Sequence, residues 1–198
     1  MFHLALTLQI AHLLYNLVAT LVDLFPFNGV RFYSMRERLA EAGVNFAIMA
    51  LPPIGFYLRS PFLMEAGLVC LFVLLAGECS TWWIPYFFGP SPQWLAIYSR
   101  VHRETITPLP RRGTNPVPNL EHLILMMLTL LTTVVSLLAY RSRYGLSFPH
   151  WWITMPVGAF LATGVFFQCC IGHKEPDQAP NPTLPSVTPP AAEEPRRP

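Results

Sequence analysis

The sequence predicts an all-α integral membrane protein: a helical bundle of about five transmembrane helices, an interfacial amphipathic helix and a proline-rich tail. Two observations predict this class. Hydrophobic residues make up 53% of the 198-residue chain and charged residues only 12%, about half the charged share of a soluble domain. The apolar residues also form several long runs, close to the roughly 20 residues that a helix needs to cross the membrane. A net charge of +2 gives no basis for nucleic-acid binding.

The chain divides into a transmembrane domain, residues 1–172, and a tail, residues 173–198. The tail is polar and rich in proline, so it cannot bury a core and is predicted to be disordered. The apolar runs predict five spans, at residues 4–25, 43–58, 62–84, 120–140 and 151–171. The second span contains Pro52 and Pro53, which kink or break a helix, so it either crosses the membrane or is re-entrant, leaving four crossing helices.

Local signals place the boundaries of these helices. Ser34 and Glu37 have the spacing of a capping box, which predicts that the second helix begins near Met35. The third span ends in the aromatic stretch TWWIPYFFG. Residues 91–106 then predict a helix lying on the membrane surface, because their apolar side chains share one face. Asn119 is expected to cap the fourth span.

Aromatic and basic residues predict how the bundle sits in the membrane. Tryptophan settles at the headgroup level, so three residues are predicted to be interface anchors: Trp82, Trp83 and Trp94. Most of the basic residues near the spans lie in the loops of one side. This asymmetry predicts an N-terminus outside and a tail in the cytoplasm, although a re-entrant second span would reverse the orientation downstream. Which membrane holds the protein is not indicated.

Polar residues share one face in two of the spans. In the first span they are separated by three or four residues, which is the helical period: Gln9, His12, Asn16, Thr20 and Asp23. The fourth span has a similar face, formed by His122, Thr129, Thr132, Thr133, Ser136 and Tyr140. Polar groups that face lipid are costly, so both faces are expected to point toward protein or water.

The predicted topology gathers carboxyl and imidazole groups at one end of the bundle. Glu78 follows a long apolar run, so its ionised form would need a partner. We predict Glu78 as the general acid or base, His122 as its partner and Asp23 as an orienting group. Simple structural roles compete with these: a solvated Asp23 and a His122 bonded within the bundle. Glu65 is expected alone near the opposite surface. No metal-ligand spacing such as H-x-x-x-H occurs, so no metal site is predicted and no cofactor is indicated.

Three functions fit these residues. The first is a membrane-embedded enzyme that acts on a lipid or other apolar substrate by acid/base chemistry. The second is a transport or proton-relay component, in which a polar pathway formed by Gln9, His12, Asn16 and Thr20 conducts and the chain forms a homo-oligomer. The third is a non-catalytic accessory or scaffold subunit whose tail recruits a partner. The lipid bilayer is the partner common to all three.

Overall fold

The computed structural model describes residues 1–145, 150, 151, 154 and 155. Most of the fifth span predicted at 151–171, and the whole tail predicted at 173–198, lie outside the described residues. The described part is helical and contains no strand. Its α-helices are α1 (Phe2–Leu21), α2 (Met35–Leu58), α3 (Pro61–Glu78), α4 (Ile84–Phe88), α5 (Pro92–Val101) and α6 (Leu120–Tyr144).

Four helical stretches in this part of the chain are long and apolar enough to cross a membrane. They are α1, α2, α6 and the stretch Pro61–Phe88, which joins α3 to α4. These stretches confirm the predicted membrane helical bundle. Within it, α1 packs against α2 and α6, while α3 also packs against α2 and α6.

The polar face of α1 points inward and its apolar face points outward. Gln9, His12, Asn16 and Thr20 are buried, whereas the large apolar residues of the other face are exposed: Leu4, Ile10, Leu14 and Val18. This arrangement suits a helix whose surroundings are hydrocarbon, because lipid accepts the apolar face at no cost and the polar groups bond to each other. The structure thus places these four polar residues inside the bundle.

Helix α2 begins with the predicted capping box and crosses without a break. The Ser34 side chain accepts a hydrogen bond from the Glu37 amide, and the Glu37 carboxylate accepts one from the Ser34 amide. The helix continues through Pro52–Pro53 to Leu58. At about 1.5 Å per residue, its 24 residues are long enough for about 30 Å of hydrocarbon. The continuous helix favours a crossing over a re-entrant dip.

Close backbone contact joins α2 to α3 beside the prolines. A Cβ at Gly67 would lie 2.7 Å from Pro52 Cα, so only glycine allows this approach. At the end of the bundle near Tyr140, an apolar cluster fills the space between the helices: Ala5, Phe56, Met64, Leu68, Val135 and Ala139. The helices are therefore closely packed at this end.

Helix α3 continues into α4 through a π-helical turn, Cys79–Trp83. The amide of Ile84 donates to the carbonyl five residues back, and this wider turn precedes Pro85, which has no amide hydrogen. The helix therefore continues past residue 84, where the sequence places the end of the third span, to Phe88 within the same aromatic stretch. The helix ends at Phe88 because Gly89, with a φ of 98°, adopts a backbone conformation that favours glycine.

The surface helix α5 is shorter than the prediction of residues 91–106. Its first turn contains Pro92, as expected, and the Ser91 side chain accepts a hydrogen bond from the Trp94 amide. The helix ends at Val101. Beyond it the chain turns back toward the bundle and reaches α6.

Main-chain hydrogen bonds fasten the loop after α5 to the loop after α1. The Ile106 amide donates to the Pro26 carbonyl at 3.0 Å, and the Leu120 amide donates to the Ile106 carbonyl at 2.8 Å. A Cβ at Gly29 would lie 2.5 Å from the Val101 carbonyl oxygen, so these loops also touch through their backbones. The two loops therefore form one connected layer.

Candidate functional site

A cavity of about 410 Å³ lies at the end of the bundle where α1 ends and α6 begins. We call this the cavity end. Its volume falls in the range of small-molecule sites, about 300–1,000 Å³. Walls come from α1, α2, the π turn and α6, and α5 closes it on one side. Its titratable and amide-bearing side chains are Glu37, Glu41, Asn45, His102, Glu121 and His122; no lysine or arginine lines it within the described part of the chain.

The first turn of α6 places a carboxyl and an imidazole side by side. Glu121 is buried, with 7% of its surface exposed, and its Oε2 lies 3.5 Å from His122 Nδ1. Asn119 caps the helix as predicted, because its Oδ1 accepts from the His122 amide at 3.0 Å. The same oxygen lies 2.6 Å from His122 Nδ1. An amide oxygen only accepts, so Nδ1 carries the proton and Nε2 of the neutral ring is left with its lone pair.

Aromatic rings surround this imidazole. The Trp82 ring lies 4.2 Å from His122, 5.0 Å from His102 and 5.3 Å from Trp94, measured between ring centroids. Trp82 is 4% exposed and is a wall of the cavity rather than an outward-facing ring. Packing against Trp82 and the hydrogen bond to Asn119 therefore together hold His122 in position.

His102 brings a second imidazole to the cavity from the end of α5. It is 6% exposed, and burial lowers its pKa to about 4, because the charged form loses hydration. The ring is therefore neutral at physiological pH. Its Nδ1 is buried and has no hydrogen-bond partner among the described residues, so its hydrogen-bonding capacity is not satisfied there.

Helix α2 contributes a third group of polar side chains. Glu37, Glu41 and Asn45 are spaced by four residues, so they share one face, and all three line the cavity. Glu41 is exposed in the cavity. It forms no hydrogen bond or ion pair within the part of the chain that the structure describes.

Glu78 lies deeper in the bundle than the cavity. Its Oε1 accepts from Thr129 Oγ1 at 2.7 Å, and the same hydroxyl lies 3.0 Å from His12 Nε2. We call these three residues the core triad. Thr129 lies about 10 Å from His122 along the axis of α6 at 1.5 Å per residue. The structure therefore pairs Glu78 with His12 and Thr129 rather than with His122.

The remaining predicted pathway residues continue this polar core. Gln9 Nε2 donates to Ser136 Oγ at 2.8 Å, so the inward polar faces of α1 and α6 meet here. Asn16 and Thr20 are buried between the core triad and the cavity, and Thr20 lines the cavity. Among the described residues, Asn16 Oδ1 and Glu78 Oε2 are buried without a hydrogen-bond partner.

Asp23 lies outside both the cavity and the core triad. It is exposed just beyond α1, accepts a hydrogen bond from the Phe25 amide at 3.1 Å, and pairs with Arg31 at 3.2 Å. The Phe25 amide and the Arg31 guanidinium lower the pKa of this carboxyl. The structure therefore does not bring Asp23 together with Glu78 and His122, and it matches the competing interpretation of a solvated helix end.

The three tryptophans predicted as anchors differ in their surroundings. Trp82 and Trp94 line the cavity. Trp83 points elsewhere: its Nε1 donates to Met126 Sδ, and its ring stacks on Phe87 at 5.7 Å.

Glu65 is not alone at the opposite end of the bundle, contrary to the expectation. This carboxylate is 1% exposed and accepts from Tyr140 Oη at 2.7 Å and from the His150 amide at 2.9 Å. The His150 ring also lies 3.2 Å away. His150, six residues past the end of α6, thus lies beside Glu65, and no short-range pattern predicts this contact.

Two cavity residues, Glu41 and Asn45, escape prediction from the sequence. Glu121 and His102 belong to the carboxyl and imidazole groups that the sequence gathers at one end of the bundle, but no role is predicted for them there. The four-residue spacing of Glu37, Glu41 and Asn45 is the signal that could reveal a polar face on α2. No comparable signal marks His102, because its position depends on how α5 folds over the bundle.

No group of three or more His, Cys, Asp or Glu side chains close enough to hold a metal ion occurs in the described ranges. Comparison of the chain with protein-family models, with characterised proteins and with solved structures gives no match. The chemistry of the site itself is therefore the basis for inferring function.

Proposed function

We propose that this chain is a membrane-embedded enzyme that performs acid/base chemistry on a lipid or other apolar substrate held in the cavity. The observation that carries the proposal is the cavity itself: apolar and aromatic walls enclose Glu121, His122 and His102 at one end of a helical bundle. An enclosed, mostly apolar site with a few convergent polar groups is the usual form of a binding site for small molecules.

The proposed acid/base group is His122, with Glu121 as its carboxyl partner. Asn119 holds the proton on Nδ1, so Nε2 is the ring atom that can take a proton from a substrate. Protonation makes the ring a cation, which the Glu121 carboxylate 3.5 Å away stabilises. Glu121 thereby takes the place that the sequence suggested for Glu78, because Glu121 is the carboxyl next to the imidazole. His102 is a further polar contact for the substrate.

The cavity favours an enzyme over a conducting pathway. Polar side chains run from the cavity to the Gln9–Ser136 hydrogen bond, and Tyr140, one turn further along α6, donates to the buried Glu65. The apolar cluster around Phe56, Leu68 and Ala139 packs against the ring of Tyr140. A proton relay needs no enclosed volume, whereas a cavity of about 410 Å³ suits a bound molecule. The scaffold hypothesis depends on the tail and gains no support from the described residues.

The test uses deuterium as the readout, because incorporation can be detected whichever lipid is the substrate. Wild-type protein in detergent is incubated in D₂O with the total lipid extract of the membrane in which it is expressed, and the lipids are examined by mass spectrometry. We expect one lipid class to change mass or gain deuterium, since acid/base chemistry at carbon exchanges protons with solvent. The His122→Gln variant should abolish this change.

A cavity-filling variant separates binding from proton transfer. Ala40 lines the cavity from α2 and is exposed, so Ala40→Trp should block the site without compressing a core. Ala47→Trp, two turns further along the same helix and not lining the cavity, is the matched control. If wild type, His122→Gln and Ala40→Trp all produce the same lipid profile, the proposal is refuted.

A further inference from the structure

We propose that the cavity selects a cationic amphiphile: an apolar molecule that carries a protonated amine or a quaternary ammonium group. This inference names the ligand class of the proposed enzyme and rests on that proposed function, because the two share one site. Three features of the cavity carry it: the sign of its charged groups, the positions of the nearby arginines and its aromatic walls.

Apart from the two histidines, the acidic and basic side chains that line the cavity in the described part of the chain are all carboxyl groups: Glu37, Glu41 and Glu121. Glu41 makes no ion pair within the described residues, and Glu121 pairs only with an imidazole. Carboxyl groups gathered in a site walled by apolar side chains can ionise against a bound cation, which then stabilises their charge. A phosphate, sulfate or carboxylate headgroup would gain nothing from them and would find no guanidinium or ammonium partner among the described lining residues.

The guanidinium groups near the cavity are held outside it. Arg38 donates to the Leu21 and Tyr33 carbonyls, and the Arg100 guanidinium lies 6.0 Å from the Tyr33 ring centroid. Neither arginine lines the cavity. Both arginines lie beside Tyr33, which lines the cavity, but neither places its guanidinium among the lining groups that a ligand would meet.

The aromatic walls and the second imidazole suit the same ligand. Trp82, Trp94 and Tyr33 line the cavity, and a cation held over such rings is attracted by their electron-rich faces. His102 Nδ1 is buried without a partner among the described residues, and the lone pair of a neutral imidazole can accept from the N–H of a protonated amine. A quaternary ammonium has no N–H, so the carboxyl groups and the rings alone would hold it. Carboxyl groups supply the charge and the rings exclude water around it.

Three probes with the same twelve-carbon chain test the inference: dodecyltrimethylammonium, dodecanol and dodecanoate. Each is titrated into the protein in phosphatidylcholine nanodiscs at neutral pH, and tryptophan fluorescence is followed, with empty nanodiscs as the blank for partition. We expect saturable binding of the cation to be at least about tenfold tighter than binding of the alcohol, a difference of about 1.4 kcal/mol. The anion should bind most weakly.

Two variants assign the selectivity to the cavity. Glu121→Gln and Glu41→Gln should each weaken binding of the cation severalfold and leave binding of the alcohol unchanged. Glu104→Gln is the matched control, because Glu104 is exposed near the end of α5 and does not line the cavity. Should Glu121→Gln fail to fold, the exposed position of Glu41 keeps the test available.

The outcomes separate this inference from the proposed function. Equal affinity for cation and alcohol, or a cation affinity that neither glutamate variant changes, overturns the inference, while deuterium incorporation can still support the enzyme. If none of the probes binds saturably, the inference fails. If wild type also shows no deuterium incorporation, the proposed function fails with it.

Discussion

The Thr129→Val substitution tests the core triad most directly. Valine has nearly the shape of threonine, so the change removes the hydroxyl and leaves packing almost intact. The lost contacts are those to Glu78 Oε1 at 2.7 Å and to His12 Nε2 at 3.0 Å. Side-chain hydrogen bonds between transmembrane helices contribute about 0.6 kcal/mol on average and about 1.7 at most. The loss of both should therefore lower the free energy of unfolding by about 1–3 kcal/mol.

Thr132 provides the matched control on the same helix. It is fully buried like Thr129, but its Oγ1 has no hydrogen-bond partner among the described residues. Replacing an unsatisfied hydroxyl by a methyl group is neutral or stabilising, so Thr132→Val should not lower stability. Both variants are unfolded with SDS in mixed micelles and followed by far-ultraviolet circular dichroism. Equal losses for the two variants would contradict the reasoning, because burial alone would then explain them.

Three further predictions concern packing, capping and pH. Gly67→Ala should destabilise the bundle by about 1–3 kcal/mol through overpacking, because its Cβ would lie 2.7 Å from Pro52 Cα. At Gly77 a Cβ meets nothing within 4 Å, so Gly77→Ala should stabilise α3 by about 0.5–1 kcal/mol. The same SDS titration measures both variants. Asn119→Ala should cost about 1 kcal/mol by removing the cap and should also slow deuterium incorporation, because the imidazole proton is no longer held. Burial lowers the pKa of His102 to about 4, so between about pH 6.5 and pH 4 the unfolded state binds more protons than the folded state. The free energy of unfolding should therefore fall as pH drops through this range. His102→Gln should flatten that decline when unfolding titrations are repeated at several pH values.

Helix ends and inward faces could be predicted because short-range chemistry determines them. Ser34 and Glu37 satisfy each other's amides within one turn, and Asn119 caps α6 in the same way. The inward face of α1 follows from the cost of placing polar groups such as Gln9 and His12 in lipid. None of these inferences depends on which helices are neighbours.

Partners across the bundle could not be predicted in the same way. Helical periodicity places Glu78 on a helix but does not show which residues of other helices lie at the same depth in the bundle. The sequence therefore suggests His122 as the partner of Glu78, whereas the structure has Thr129, which also contacts His12. The cavity depends on contacts between residues that are even further apart in the sequence. Its formation needs the polar face of α2, with Glu41, opposite the imidazole of His102, and a π turn that carries Trp82 inward.

The main-chain hydrogen bonds between the loops bear on how a substrate could reach the cavity. Because Ile106 is bonded to both Pro26 and Leu120, the loops at the cavity end are held together by their main chains. The side facing α2 is different, since Ala40, Glu41 and Val44 line the cavity and are exposed as well. If a lipid or other apolar substrate is held there as proposed, it could enter from the bilayer past these residues of α2 without crossing water. Its supply would follow its concentration in the bilayer, so a compound almost insoluble in buffer could still saturate the protein.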